Sequence, residues 1–232
     1  MTTRRLLLFD IDGTLVRAGP VGGAVFNRAL EAVLGEVPSE RIRMSGKTDP
    51  QIVREYLALM ESDDPTHLPS ILEHLERELA SAAEELASDG APCPGAPELL
   101  AALAQDGRFH SSVLTGNIAP NAVVKLAAFG LEKWVDMESG AYGSDSEDRR
   151  DLVPIAIGRL ASLRGVHLSP EETWVIGDTP RDYECAAAVG AHCLLVATGG
   201  YSVEELSGLG ADAVLGDLTA TGAVVDILSA GL

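Results

Sequence analysis

Five short apolar runs, Leu6–Phe9, Ser111–Leu114, Thr173–Ile176, Cys193–Val196 and Ala213–Leu215, recur along the chain with helical periodicity between them. That alternation is the pattern of a parallel α/β sheet, so a doubly wound, Rossmann-like core is expected. In such sheets ligands bind beyond the carboxyl ends of the strands. Three polar tracts fall at those ends. With 232 residues, 46% of them hydrophobic, the chain can bury one substantial core, or a core with a smaller attached unit.

The first tract is Phe9-Asp10-Ile11-Asp12-Gly13-Thr14-Leu15, directly after Leu6-Leu7-Leu8. Two carboxylates this close raise each other's pKa or need a cation between them, so the pair implies a bound metal or a shared proton. A plain Asp-Gly turn is the bland account. A calcium loop of the EF-hand type does not fit, because Leu15 and Val21 stand where it needs Gly and Glu. The second tract, Trp174-Val175-Ile176-Gly177-Asp178-Thr179-Pro180-Arg181-Asp182, repeats the order of apolar strand, Gly and Asp. Two strand-end acid clusters in one chain are hard to explain as turns. Between them lies Ser112-Val113-Leu114-Thr115-Gly116-Asn117, leading through Ala119-Pro120 into a helical stretch that runs to Phe129. A hydroxyl, a glycine and a helix start suit an anionic oxygen, and beside the acid tracts they point to phosphate binding.

From Val16 to about Gly90 no strand is expected and helices dominate. Leu68, Ile71, Leu72, Leu75, Leu79, Ala82, Ala83 and Leu86 form one apolar stripe, with Glu73, Glu76, Arg77 and Glu78 opposite. This predicts one amphipathic helix ending at Ser88-Asp89-Gly90, with a hinge at the prolines that follow. Gly19-Pro20-Val21-Gly22-Gly23 has the composition of a second hinge or of a simple loop. No internal repeat or low-complexity tract occurs.

The formal net charge of −18 argues against nucleic-acid binding, which needs a surplus of Lys and Arg. An anionic substrate would be repelled unless a divalent metal and a few local cations reversed the field. Cys93, Cys185 and Cys193 lack metal-type spacing, and no apolar segment resembles a leader or a membrane span. A reducing cytoplasm and no membrane partner are therefore expected, with Cys185 and Cys193 packed in the core. Monomer and homodimer are equally open.

Taken together, the three tracts resemble the haloacid dehalogenase superfamily of phosphohydrolases, in its phosphoglycolate-phosphatase-like branch. The DxDGT pattern is met by Asp10 to Thr14, the strand-end hydroxyl by Thr115, and GDxxxD by Gly177, Asp178 and Asp182. One departure stands out: the family's Lys before the last acidic motif is missing, and Arg149 or Arg150 would have to supply that cation. An ion-pair cluster with Asp145, Glu147, Asp148 and Asp151 is the competing account of the two arginines.

The resemblance implies a Mg²⁺-dependent phosphatase for a small phosphorylated metabolite. A core of residues 1–15 and 91–232 would carry an inserted helical cap over 16–90. Asp10 would form an aspartyl-phosphate, and Asp12 would serve as general acid and then general base. Mg²⁺ would take carboxylate oxygens from Asp10 and Asp178 and the backbone carbonyl of Asp12, with Asp182 in support. Thr115, Gly116, Asn117 and Arg149 would hold the phosphoryl group. Asp182 has a plainer use as a first-turn acid facing the helix dipole.

For Ser45-Gly46-Lys47-Thr48-Asp49-Pro50 the favoured account is a helix start, with Asp49 as N-cap before Pro50; the competing one, implied by the resemblance, is a cap loop whose Lys47 would meet a carboxylate or second phosphate of the substrate. Lys125 is expected in a salt bridge or in solvent rather than in catalysis. The five histidines lack ligand spacing, and Trp134 and Trp174 read as core anchors. Alternatives are a phosphomutase on the same machinery and a non-catalytic metabolite-binding protein. A metal-free dehalogenase or a phosphonate hydrolase is disfavoured, because Asp12 is present.

Overall fold

The computed structural model describes residues 5–231; residues 1–4 and 232 of the expected core lie outside the described residues. Six parallel strands form one sheet, β1 (Arg5–Phe9), β4 (Phe109–Thr115), β5 (Asp136–Tyr142), β6 (Thr173–Gly177), β7 (His192–Val196) and β8 (Ala213–Leu215), in the order β5-β4-β1-β6-β7-β8. β1 is central, pairing with β4 through Leu8↔Ser112 and with β6 through Leu8↔Val175. This explains its unbroken apolar run, since all five of its residues are buried.

Alternation along the strands divides the core between two faces. Leu7, Phe9, Val113, Ile176 and Leu194 pack with helices α5 (Ala96–Ala104), α6 (Ala119–Ala127) and α10 (Thr221–Leu228). Leu6, Leu8, Leu114, Val175 and Leu195 pack with α7 (Leu152–Arg164), α8 (Pro180–Ala187) and α9 (Val203–Ser207). Each fully buried Leu or Phe contributes about 1.5–3 kcal/mol relative to exposure. The expected doubly wound sheet is therefore present. Successive strands move from β1 to one side and then cross to β6 on the other, so the switch point lies between β1 and β6.

Five of the six strands were expected; β5 was not. Its sequence, Asp-Met-Glu-Ser-Gly-Ala-Tyr, carries no apolar run, because it is an edge strand whose first three residues are not fully buried. Its pairing with β4 also shifts register between Ser112 and Leu114.

Between β1 and α5 lie four helices, α1 (Val21–Leu34), α2 (Asp49–Leu59), α3 (His67–Ser81) and α4 (Ala83–Asp89). They enclose their own buried cluster, including Val25, Leu30, Val53, Tyr56, Ile71, Leu75, Leu79 and Leu86, against which Val124, Ala128 and Phe129 also pack. Two corrections follow. The expected single amphipathic helix breaks at Ala82, although Leu79 and Leu86 still reach one cluster. Gly22 and Gly23 are helical, in the first turn of α1, rather than part of a hinge. A pair of strands not foreseen in the sequence, β2 (Val16–Arg17) and β3 (Ala91–Pro92), runs antiparallel where the chain enters and leaves the helical insertion. Among the described residues no helix is long and apolar enough to cross a membrane.

Candidate active site

The carboxyl ends of β1, β4 and β6 bring the three polar tracts to one edge of the sheet, where the tracts after β1 and β4 line a cavity of about 290 Å³ whose other walls are α1 and the loop before α2. Asp10 leaves β1 with its N–H on the carbonyl of Ile176 (2.8 Å), so it is an extension of the sheet. Its side chain is buried. The chain then turns tightly, with Leu15 and Val16 both donating to the carbonyl of Ile11 (2.9 Å each).

Glycine is required in that turn. Gly13 has φ +85°, and a Cβ there would lie 2.4 Å from Asp178 Oδ2. A Cβ on Gly199 would lie 1.6 Å from the same oxygen. Asp178 thus occupies a slot that only two side-chain-free residues leave open. Thr14 Oγ1 donates to its other oxygen at 3.3 Å.

One carboxylate oxygen from each of Asp10, Asp178 and Asp182 lies within 4.8 Å of the others. Burial pushes the Asp10 carboxyl up to about 6, against the opposing pull of Arg149. Burial, and then the charges of Asp10 and Asp182, push Asp178 up to about 9. Asp10 and Asp178, two buried carboxylates with raised pKa values and a third carboxylate beside them, form a set that a cation would stabilise. The donors are all hard oxygens, which suits Mg²⁺. Asp182 differs from the other two, because its oxygens are already occupied. Oδ2 accepts from Thr179 N (3.0 Å) and Thr179 Oγ1 (2.7 Å) in a capping box that starts α8, and Oδ1 accepts from Arg149 Nη2 (2.6 Å). Asp182 is thus the first-turn acid that starts α8, and it also lies beside Asp10 and Asp178.

Arg149 and Arg150, equivalent in the sequence, separate completely in space. Arg149 Nη2 lies 3.0 Å from Asp10 Oδ1 and the residue is buried, whereas Arg150 is exposed and clasps Asp148. Burial opposes the Arg149 charge, but Asp182 and Asp10 outweigh it and hold the guanidinium above its ordinary value. Its Nε is buried with no hydrogen-bond partner among the described residues.

Asp12 is not one of the acidic trio. Its carboxylate accepts from Lys125 Nζ (2.7 and 2.6 Å) and from Asn117 Nδ2 (2.7 Å). Asn117 also donates to Thr115 Oγ1 (2.8 Å). Gly116 allows the insertion to close, since a Cβ there would meet the Lys47 carbonyl at 2.1 Å. Lys47 lines the cavity and is ion-paired with Glu55. Lys125 does form the expected salt bridge, but it is buried and lines the cavity with Asp12. Helical spacing signals its inward position: Asn121, Ala122, Lys125 and Leu126 are the buried residues of α6.

Asp49 is the other residue whose place the sequence did not reveal. Thr48, not Asp49, is the N-cap of α2, accepting from Gln51 N, and Asp49 occupies the first helical position. Asp49 N donates to Gly116 O (2.7 Å), and its Oδ2 accepts from Ile118 N (2.8 Å). One backbone–backbone bond and one bond from a backbone N–H to the Asp49 carboxylate thus fasten the insertion to the loop after β4. Burial pushes the Asp49 carboxyl up to about 6, with Lys125 opposing.

Comparison with known proteins shows the family. The family model for haloacid dehalogenase-like hydrolases matches residues 7–187. A phosphoglycolate phosphatase of Rhodospirillum rubrum is 30% identical over 224 residues, 94% of this chain and 89% of that protein. Among solved structures, CbbY from Rhodobacter sphaeroides in complex with phosphate superposes with a TM-score of 0.74 at 21% identity, covering 95% of this chain and 97% of that one. A predicted phosphoglycolate phosphatase from Haemophilus somnus gives 0.70 at 20% identity, over 97% and 99%. The chain belongs to the haloacid dehalogenase-like hydrolase family, and is a phosphatase-like hydrolase within it.

Proposed function

We propose that this haloacid dehalogenase-like hydrolase is a Mg²⁺-dependent phosphatase that removes phosphate from a small phosphorylated metabolite through an aspartyl-phosphate on Asp10. The observation that carries this reading is the environment of Asp10: a buried carboxylate with Arg149 Nη2 at 3.0 Å and the oxygens of Asp178 and Asp182 close by. 2-Phosphoglycolate, the substrate in the name of the Rhodospirillum relative, is the first compound to test.

Asp10 and Asp178 carboxylates with the Asp12 backbone carbonyl would hold Mg²⁺, while Asp182, saturated by Thr179 and Arg149, keeps the arginine in place. The bound ion would supply charge neutralisation and orientation for the phosphoryl group. Asp10 Oδ attacks phosphorus, forming the aspartyl P–O bond as the bond to the leaving alkoxide breaks. Arg149 offsets the charge on the transferring group, with its Nε–H still unsatisfied. Thr115 and the Gly116–Asn117 backbone orient the phosphoryl oxygens. Asp12 gives its proton to the leaving oxygen, then takes one from the water that cleaves the acyl phosphate and regenerates Asp10.

The division into a core of residues 1–15 and 91–232 and a cap of 16–90 is part of the same proposal. It is supported by the separate buried cluster of the insertion and the strand pair at its base. Lys47, on the cavity wall, would meet a second anionic group of the substrate. A reducing cytoplasm is the compartment proposed, supported by three free buried cysteines.

Phosphate release over a panel of phosphorylated metabolites with Mg²⁺, run beside Asp10→Asn, tests the reading. Turnover should vanish in the variant while the fold is kept, and rapid quenching of the wild type should trap protein carrying one phosphoryl group. Unchanged turnover in Asp10→Asn would sink it.

A further inference from the structure

Lys125 is a cation on the buried face of α6. A lysine ammonium is almost never buried without partners, because its charge loses hydration. Here all three N–H bonds of Nζ are used, two on the oxygens of Asp12 (2.7 and 2.6 Å) and one on Asn117 Oδ1 (2.7 Å). Asn117 closes the triangle by donating Nδ2 to Asp12 Oδ2 (2.7 Å). The Asp12 side chain is 44% exposed, an exposure at which a carboxylate would ordinarily sample several rotamers. Instead it is held from two sides by three N–H bonds. The residues supplying those bonds come from the end of β4 and from α6, not from the turn that carries Asp12, so its aim is set by tertiary structure.

We propose that Lys125 is a positioning residue for Asp12, fixing its carboxylate at the cavity wall where a leaving-group oxygen would receive a proton. The inference rests on the assignment of Asp12 as acid and base in the proposed function. Proton delivery to a departing oxygen requires an acid within hydrogen-bond reach of it. Two of the cations lining the site then have separate tasks: Arg149 faces the nucleophile, and Lys125 holds the proton donor.

Leaving-group dependence separates this role from a structural one. Proton donation helps phenyl phosphate, whose phenolate is a poor leaving group, far more than p-nitrophenyl phosphate, whose leaving group departs without help. The kcat/KM ratio for the two esters, measured on one preparation, is independent of the fraction folded. Asp12→Asn and Lys125→Met should each lower phenyl phosphate hydrolysis about tenfold or more beyond their effect on p-nitrophenyl phosphate. The double variant should match Asp12→Asn alone, and Lys125→Arg should recover most of the ratio. If Asp12→Asn shifts the ratio but Lys125→Met does not, or if the two effects multiply, the role of Lys125 is overturned and that of Asp12 stands. If Asp12→Asn leaves the ratio unchanged, the acid assignment itself fails and this inference falls with it.

Discussion

Arg149 Nη2 lies 3.0 Å from Asp10 Oδ1 and 2.6 Å from Asp182 Oδ1, so one guanidinium nitrogen ties the end of β1 to the first turn of α8. All three side chains are almost wholly inside the protein. Removing one partner of such a set leaves uncompensated buried charge, which costs about 3–5 kcal/mol.

Arg149→Met is therefore expected to lower both the melting temperature and the rate, with kcat reduced on the order of 10²–10³-fold, the scale of losing one charge-stabilising donor. Arg149→Lys should restore part of the rate but not the full stability, because an ammonium lacks the planar fork. Thermal unfolding and phosphate release on the same samples check both. An Arg149→Met enzyme with wild-type kcat would reduce this residue to a structural ion pair.

Gly199→Ala tests the slot around Asp178. The added methyl would lie 1.6 Å from Asp178 Oδ2, so the carboxylate must move. Mg²⁺ affinity should fall by about tenfold or more, read by calorimetric titration with the metal alone, while far-ultraviolet circular dichroism stays unchanged. Saturating Mg²⁺ should raise the wild-type melting temperature by mass action, and raise that of the variant less.

Asp49 gives a pH dependence whose sign can be worked out. Its native pKa of about 6 lies above the 3.8 of an ordinary aspartate, so the native state holds the proton more tightly than the unfolded chain. The stability this proton confers is full below about pH 3.8 and is lost as pH rises through about 6, amounting to about 3 kcal/mol at neutrality. Asp49→Asn keeps an acceptor for Ile118 N without the buried charge. It should melt several degrees higher than wild type at pH 7.5, with the difference shrinking toward pH 4. Asp49→Ala leaves that N–H unpaired and should lose about 1–3 kcal/mol at either pH.

The thiols offer a check on the core. Cys93, Cys185 and Cys193 are free and buried, and burial pushes the first two up to about 12. None should react with a disulfide reagent at pH 8 while the protein is folded, and all three should react in denaturant. Fast labelling of the native protein would contradict the packing around β7, α8 or the start of α5.

The strands that sit between two neighbours were legible because covering both faces demands apolar residues throughout, as in Leu6-Leu7-Leu8-Phe9. Edge strand β5 was not, because Asp136 and Glu138 face conditions that tolerate charge. Asp10, Thr115, Asn117, Asp178 and Asp182 were visible as strand-end tracts, and the sheet gathers them at one edge. Lys125 and Asp49 were singled out, but their places in the site were not legible because their partners are remote in sequence: Asp12 is 113 residues from Lys125, and Ile118 is 69 residues from Asp49.

By itself the sequence determined the alternating α/β order and the chemistry available at each strand end, since hydrophobic periodicity and residue type are local properties. Only the tertiary structure decided which of Arg149 and Arg150 enters the site, and that Lys125 rather than solvent meets Asp12. It also turned Asp49 from a helix start into a clamp. These outcomes depend on which distant groups share a low-dielectric pocket, where a charge must find a partner, and that is set by how strands and helices stack rather than by neighbours along the chain.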